Sequence, residues 1–283
     1  MTTRFISNYH THNNFCDGKN TIEEMVQAAI EKGILHLGIS SHAYIPNQEI
    51  WTMEEDQIEA YLDEVHRIKE KYTGRIHIYT GLEIDFFDGI GWYPPILPFI
   101  EELDYDIGSV HCLYNGEIGE SCYVDDTQEA FEEGVENLFN GNIQEAVRHY
   151  YNSLKNMIIK YNPTIIGHMD IIKKNNNDNC FFNEKEQWYK DIIKEVLSVI
   201  KDSTSIVEVN TGGIARYGKD LLYPSVDILE QMYRNGLDIT INGDSHKIED
   251  IDFYYEEVYQ LIKDIGYDRV MIFTDKGWEP FKL

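Results

Sequence analysis

The chain has 283 residues, enough for one large domain or two small ones, and its 42% hydrophobic content can supply a sizeable core. A formal charge of −26 at pH 7 disfavours a groove that tracks a nucleic-acid backbone and a face that docks on anionic membrane. Four cysteines without a CxxC pair, a start (MTTRFISNYH) with no apolar run, and no stretch near the roughly 18 apolar residues of a membrane span fit a reduced, cytoplasmic protein.

Short apolar runs alternate with longer amphipathic ones. The first predicted strand is Ile6–His12. Helix Thr21–Lys32 follows, with Asn20 as N-cap and Gly33 as stop, and then strand Leu35–Ser40. Helix Asp56–Lys71 leads to strand Ile76–Glu83, and strand Ile107–Val110 comes next. Gln128–Tyr161 reads as two helices broken at Asn140-Gly141-Asn142. Strand Ile165–Gly167, a polar surface loop at Lys173–Asn179 and helix Glu184–Lys201 come after. Strand Ile206–Asn210, helix Ser225–Asn235, strand Ile239–Asn242, helix Asp252–Ile265 and strand Val270–Phe273 complete the series. Such alternation implies a parallel sheet. Seven or eight units favour a closed barrel over an open sheet. No repeat, low-complexity tract or Pro/Ser-rich linker interrupts the chain, so one domain over residues 1–283 is expected.

The chain has ten histidines, and six stand at predicted strand ends: His10, His12, His42, His111, His168 and His246. Asp17, Glu83 and Asp244 join the pattern. Imidazole and carboxylate form the ligand set of Zn, Mn or Fe. Nine such residues cannot surround one ion, which predicts two or three metals and points to hydrolysis of a phosphate ester. His10 and His12 are i, i+2 and share one face of a strand. Asp244 and His246 repeat that spacing, and a closed barrel makes the first and last strands neighbours. The candidates lie at C-terminal strand ends, the face where barrel enzymes carry their chemistry. Glu83 can bridge two ions as a carboxylate, and Asp85, on the same face, is its rival. A lone strand-end histidine is more often structural, and that is the reading for His36, His66, His77 and His149. Cys16 and Cys112 read as small packing residues.

The segments HTHNNFCDG, GISSHA, GLEIDF, DIGSVHCL, IGHMDII, VEVNTGG and INGDSH, in that order, resemble the PHP (polymerase and histidinol phosphatase) superfamily over nearly the whole chain. Within it they are similar to the histidinol-phosphatase-like phosphoesterases. The resemblance implies an α/β fold, a distorted seven-stranded (β/α)7 TIM-like barrel, with a trinuclear metal centre. It implies His10, His12, Glu83 and Asp244 around a first ion. Glu83 would bridge to a second, completed by His111 and His168, and Asp17, His42 and His246 would hold a third. Many members carry histidine where this chain has Asp17. That harder ligand leans the third site toward Mn or Fe.

Three divalent ions against three carboxylates leave a positive pocket in an acidic protein, suited to a phosphate dianion. The implied mechanism is attack by a metal-held hydroxide in line with the leaving alcohol, with no nucleophilic side chain. Arg216, just after a strand, is the first candidate for holding phosphate, followed by Lys174 and Lys173. Glu208 and Asn210 of VEVNTGG stand at the expected rim without an assigned role.

The expected substrate is L-histidinol phosphate, a step of histidine biosynthesis. The alternative is another small phosphate ester, or a 3′–5′ exonuclease activity that the acidic charge opposes. The segment Tyr114–Asp126, with Glu117, Glu120, Asp125 and Asp126, is read as a lid over the cationic end of that substrate. Trp51, Trp92 and Tyr93 are read as stacking partners for its imidazole. Nucleic-acid and membrane partners are not expected, and the sequence leaves the oligomeric state open.

Overall fold

The computed structural model describes residues 6–48, 50–116, 119–218 and 221–283. Its strands are β1 (Ser7–Asn8), β2 (His36–Ile39), β3 (His77–Thr80), β4 (Glu83–Asp85), β5 (Ile107–Ser109), β6 (Cys112–Asn115), β7 (Glu120–Tyr123), β8 (Ile165–Ile166), β9 (Ile206–Asn210), β10 (Ile239–Asn242), β11 (Arg269–Thr274) and β12 (Gly277–Lys282). Its helices are α1 (Ile22–Lys32), α2 (Ile58–Lys71), α3 (Gln128–Phe139), α4 (Ile143–Tyr161), α5 (Gln187–Lys201), α6 (Gly212–Tyr217), α7 (Val226–Arg234) and α8 (Tyr255–Ile265).

Local sequence explains the helix ends. Thr21, not Asn20, caps α1: its hydroxyl accepts from Glu24 N at 3.2 Å while the Glu24 carboxylate accepts from Thr21 N at 2.8 Å. Gly33 then ends the helix in the left-handed region at φ 78°. Ile22, Met25, Val26 and Ala29 recur at helical spacing and form the buried face of α1. The α3–α4 break falls where expected. Asn140 takes φ 50°, and the Asn142 side chain accepts from Glu145 N at the start of α4.

The parallel strands form two sheets, β1-β2-β3 and β10-β9-β8-β5-β4, rather than one closed ladder. Single-residue parallel bridges join them, Thr11 to Ser245 on one side and His42 to Glu83 on the other. The predicted strand Ile76–Glu83 is divided between the sheets, as β3 and β4 on either side of Gly81-Leu82. Tyr105 packs on Gly81, where a Cβ would stand 2.4 Å from its ring. The first predicted strand is likewise reduced to a two-residue pairing, followed by the Thr11 bridge.

Val270–Phe273 does not extend the parallel sheets. It belongs to the antiparallel β11–β12 hairpin. Phe273 and Trp278 of that hairpin pack on Tyr9, Tyr79 and Tyr105, and Tyr9 Oη exchanges 2.8 Å hydrogen bonds with both N and O of Phe273. A second antiparallel hairpin, β6–β7, overlaps the predicted lid segment. No helix among the described residues is long and apolar enough to cross a membrane.

Candidate metal centre

Glu83 sits at the middle of the site. It opens β4, is 1% exposed, and stands at the bridge between the two sheets. Its Oε2 lies 3.1 Å from His10 Nε2, 3.0 Å from His42 Nδ1 and 3.6 Å from His12 Nε2. Its Oε1 lies 2.9 Å from His168 Nε2 and 3.7 Å from His111 Nε2. Asp244 Oδ1 is 3.2 Å from His12 Nε2, and Asp17 Oδ1 is 3.3 Å from His246 Nε2. The structure therefore brings together all nine residues singled out in the sequence.

Their atoms fall into overlapping groups. His10, His12 and Glu83 form one, and Glu83, His111 and His168 form another. A third combines Asp17, His42 and His246 with His12. His42, Asp85 and His111 also lie within reach of one another. Within each group the donor atoms lie within 4.8 Å of one another.

The site is built for something that these residues do not supply to each other. His10 Nε2, His12 Nε2, His42 Nδ1 and Glu83 Oε2 are buried, mutually close and without a hydrogen-bond partner. His111 Nε2 and His168 Nε2 face each other at 3.2 Å. Buried polar atoms are nearly always satisfied. A convergence of lone-pair donors of the borderline N/O type fits divalent ions.

The electrostatics follow from packing. Burial would raise the Glu83 carboxyl, but His42, His10 and His111 hold it well below the usual range. Burial would likewise raise Asp244, but Arg216 and His10 hold it low. Burial would lower His111, yet Asp85 and Glu83 push it up to about 10. His10 is also raised, against its burial, by Glu208, Glu83 and Asp244. His12 goes the other way, lowered by burial and by His246 and His42.

Asp85, the rival to Glu83 in the sequence, accepts from His111 Nδ1 at 2.8 Å and from His111 N at 3.2 Å. Several other readings from the sequence need correction. Glu208 and Asn210 are fully buried rather than at a rim. Trp92 stacks on Tyr161 at 4.1 Å, and Tyr93 packs on Phe87, so neither reaches the pocket. Lys173 is tied to Glu184 at 2.8 Å and Asp170 at 3.3 Å, because its stem turns inward beside that buried carboxylate. Glu120 is exposed on β7 and does not line the pocket. Glu117 lies outside the described residues.

A pocket of about 680 Å³ opens over the cluster. Arg216 and Lys174 line it, with Lys19 and Lys247, which sequence reasoning missed although they lie two residues after Asp17 and directly after His246. Arg216 donates to Asp244 Oδ2 at 2.7 Å and to Asp244 O at 3.0 Å. Lys174 donates to the carbonyls of Asp125 and Asp126 and stands 4.5 Å over the Tyr217 ring. Asp125, Asp126, Trp51 and Tyr123 line the same pocket. Trp51 meets His42 edge-on at 4.8 Å. His36 and His77 stack on each other at 4.9 Å at the starts of β2 and β3, away from this pocket.

Comparison with known proteins gives the same direction. Residues 8–212 match the family model described as the PHP domain. The histidinol-phosphatase of Bacillus subtilis is 24% identical over 266 residues, covering 87% of this chain and 96% of that one. The hisK crystal structure from Listeria monocytogenes aligns with a TM-score of 0.78 at 23% identity, over 89% of this chain and 99% of that chain. Histidinol phosphate phosphatase from Lactococcus lactis, complexed with Zn, L-histidinol and phosphate, aligns with a TM-score of 0.68 at 21% identity, over 97% of this chain and 98% of that chain.

Proposed function

Because the chain belongs to the PHP domain family, we propose that it is a metal-dependent phosphomonoesterase that hydrolyses L-histidinol phosphate to L-histidinol and phosphate, a step of histidine biosynthesis. The observation that carries this reading is Glu83, whose two carboxylate oxygens face two different sets of imidazoles. The curated relative and the ligand-bound neighbour support the substrate. In this reading β3 and β4 count as one interrupted strand, so the two parallel sheets make a distorted (β/α)7 barrel in a single, cytoplasmic domain.

Three divalent ions are assigned, as Zn, Mn or Fe. His10, His12, Glu83 and Asp244 would hold the first, Glu83, His111 and His168 the second, and Asp17, His42 and His246 the third. Bound there, they supply an acidified water and Lewis-acid charge for phosphoryl transfer. The protein's own groups do the rest. Asp85 holds His111 with Nδ1 engaged and Nε2 facing Glu83. Arg216 spends its terminal nitrogens on Asp244 and His246, so it fixes Asp244 and adds charge at the pocket wall. Lys19, Lys174 and Lys247 line the pocket beside Asp125, Asp126 and Asp250 and attract the phosphate dianion. Trp51 and Tyr123 offer apolar faces to the imidazole end of the substrate, and Asp125 and Asp126 face its cationic charge.

The test is a phosphatase assay of metal-loaded protein. Histidinol phosphate should be hydrolysed well ahead of p-nitrophenyl phosphate, and single-stranded DNA should be left intact. Robust exonuclease action with histidinol phosphate untouched would overturn the assignment.

A further inference from the structure

Glu208 stands on β9, fully buried and outside the pocket lining. Its carboxylate is surrounded by donors. Oε2 and Oε1 lie 3.0 and 3.1 Å from His10 Nδ1. Oε1 also accepts from His168 N at 2.9 Å and from Asn210 Nδ2 at 2.7 Å, and Oε2 accepts from Asn242 Nδ2 at 2.9 Å. The β9–β10 register explains the cradle: Asn210 pairs with Asn242, and Glu208 is two residues back on the same face as Asn210.

We infer that Glu208 is a positioning residue for the metal centre: it holds His10 by Nδ1, turns Nε2 toward Glu83 and Asp244, and ties that ring to two other parts of the site. The inference rests on the metal-centre reading above. An imidazole that donates Nδ1–H to a carboxylate has its lone pair on Nε2, the form an ion requires. His10 Nε2 is the atom 3.1 Å from Glu83 Oε2 and without a hydrogen-bond partner. Through its own backbone, His168 is pinned to the same carboxylate. Asn210 extends the link to Asp244, with Nδ2 3.2 Å from Asp244 Oδ2. Asn242 anchors the other side, its Oδ1 accepting from Tyr9 N at 2.8 Å. One carboxylate thereby registers His10, His168 and Asp244 against one another. A simple structural ion pair would need only the His10 contact.

Glu208→Gln keeps the size and one acceptor but removes the charge. Wild type and variant are stripped by chelator, compared by circular dichroism and thermal unfolding, and titrated with zinc against a chromophoric chelator. The fold should persist, and at least one zinc equivalent should bind on the order of 10–100-fold more weakly. The NMR resonance that the His10 Nδ1 proton gives in zinc-loaded wild type should shift or vanish in the variant, and kcat should change more than KM. Wild-type zinc affinities with an unchanged His10 resonance would overturn the inference. Should E208Q not fold, Asn242→Ser loosens Glu208 while leaving its charge: weaker zinc binding supports the role, and unchanged binding refutes it. A wild type that takes up no zinc, manganese or iron would instead sink the metal-centre reading itself.

Discussion

Ser109 Oγ donates a 2.6 Å hydrogen bond to Glu83 Oε1, while Glu83 Oε2 lies among His10, His12 and His42 with no donor of its own. One oxygen is anchored by a hydroxyl while still facing His168 Nε2 at 2.9 Å, and the other is presented to three imidazoles. That asymmetry fixes the carboxylate plane at the centre of the site.

Glu83→Gln should therefore cost orders of magnitude in turnover, since one change disturbs two groups of donors. Asp85→Asn acts only through His111 and should cost less, on the order of 10–100-fold. Kinetics of both variants under saturating metal decide the matter. A more damaging Asp85→Asn would show that the roles within β4 are reversed.

Metal content is the second expectation. Protein purified without chelator should carry close to three transition-metal equivalents by elemental analysis. Chelation should abolish hydrolysis, and added zinc or manganese should restore it. Full activity with a single bound ion would contradict the three-ion assignment.

Binding should release protons. Burial lowers His111, but Asp85 and Glu83 outweigh it and bring the group to about 10. His10 is raised in the same sense. His111 is thus protonated at neutral pH without metal, and an ion must displace that proton. Acid favours the protonated rings, so apparent zinc affinity should strengthen as pH rises and level off above about 10. Zinc added to weakly buffered protein should acidify the solution, and a pH-stat titration would reveal the opposite outcome directly.

Gly212 opens α6 against the site. A Cβ there would stand 2.8 Å from Asp244 Cβ, 2.9 Å from its Oδ2 and 3.0 Å from Arg216 Nη2. In an ordinary helix alanine is favoured over glycine by about 1 kcal/mol. Gly212→Ala should instead displace Asp244, and a misplacement of about 1 Å can cost on the order of 100-fold in rate. Wild-type kcat in this variant would mean that Asp244 tolerates displacement.

Asp125→Asn combined with Asp126→Asn should raise KM for histidinol phosphate and spare p-nitrophenyl phosphate, which lacks the cationic tail. Equal effects on both substrates would assign these residues to phosphate binding or folding instead.

Much of the site was legible because ligand-type residues at strand ends leave a mark in the sequence: i, i+2 spacing at His10/His12 and Asp244/His246, and a carboxylate closing an apolar strand. The role of a carboxylate was not. Glu208 and Asp85 look the same in sequence whether they face an ion or the back of an imidazole, and only three-dimensional packing separates the two. The loop aromatics failed for a related reason: Trp92 finds Tyr161 across 69 residues, a contact that periodicity does not encode. The β6–β7 hairpin was missed because its strands are only four residues each and show no clean alternation of apolar and polar residues. The packing of Tyr105 on Gly81, which leaves no room for a Cβ there, is likewise a contact that the local pattern does not encode.

The two sheets meet at single bridges, and both bridges run through the site. On one side His12 N donates to Ser245 O at 2.9 Å and Ser245 N to His10 O at 3.1 Å; on the other Ala43 N donates to Glu83 O at 2.8 Å and Glu83 N to Ser41 O at 3.1 Å. A seam one residue wide is where a fold breathes first. Ligation of His10, His12 and Glu83 by common ions would rivet both seams from within. The amides of His12, Ala43, Glu83 and Ser245 should then exchange with deuterium far more slowly in loaded protein than in stripped protein, while those of α5, remote from the seams, should scarcely change.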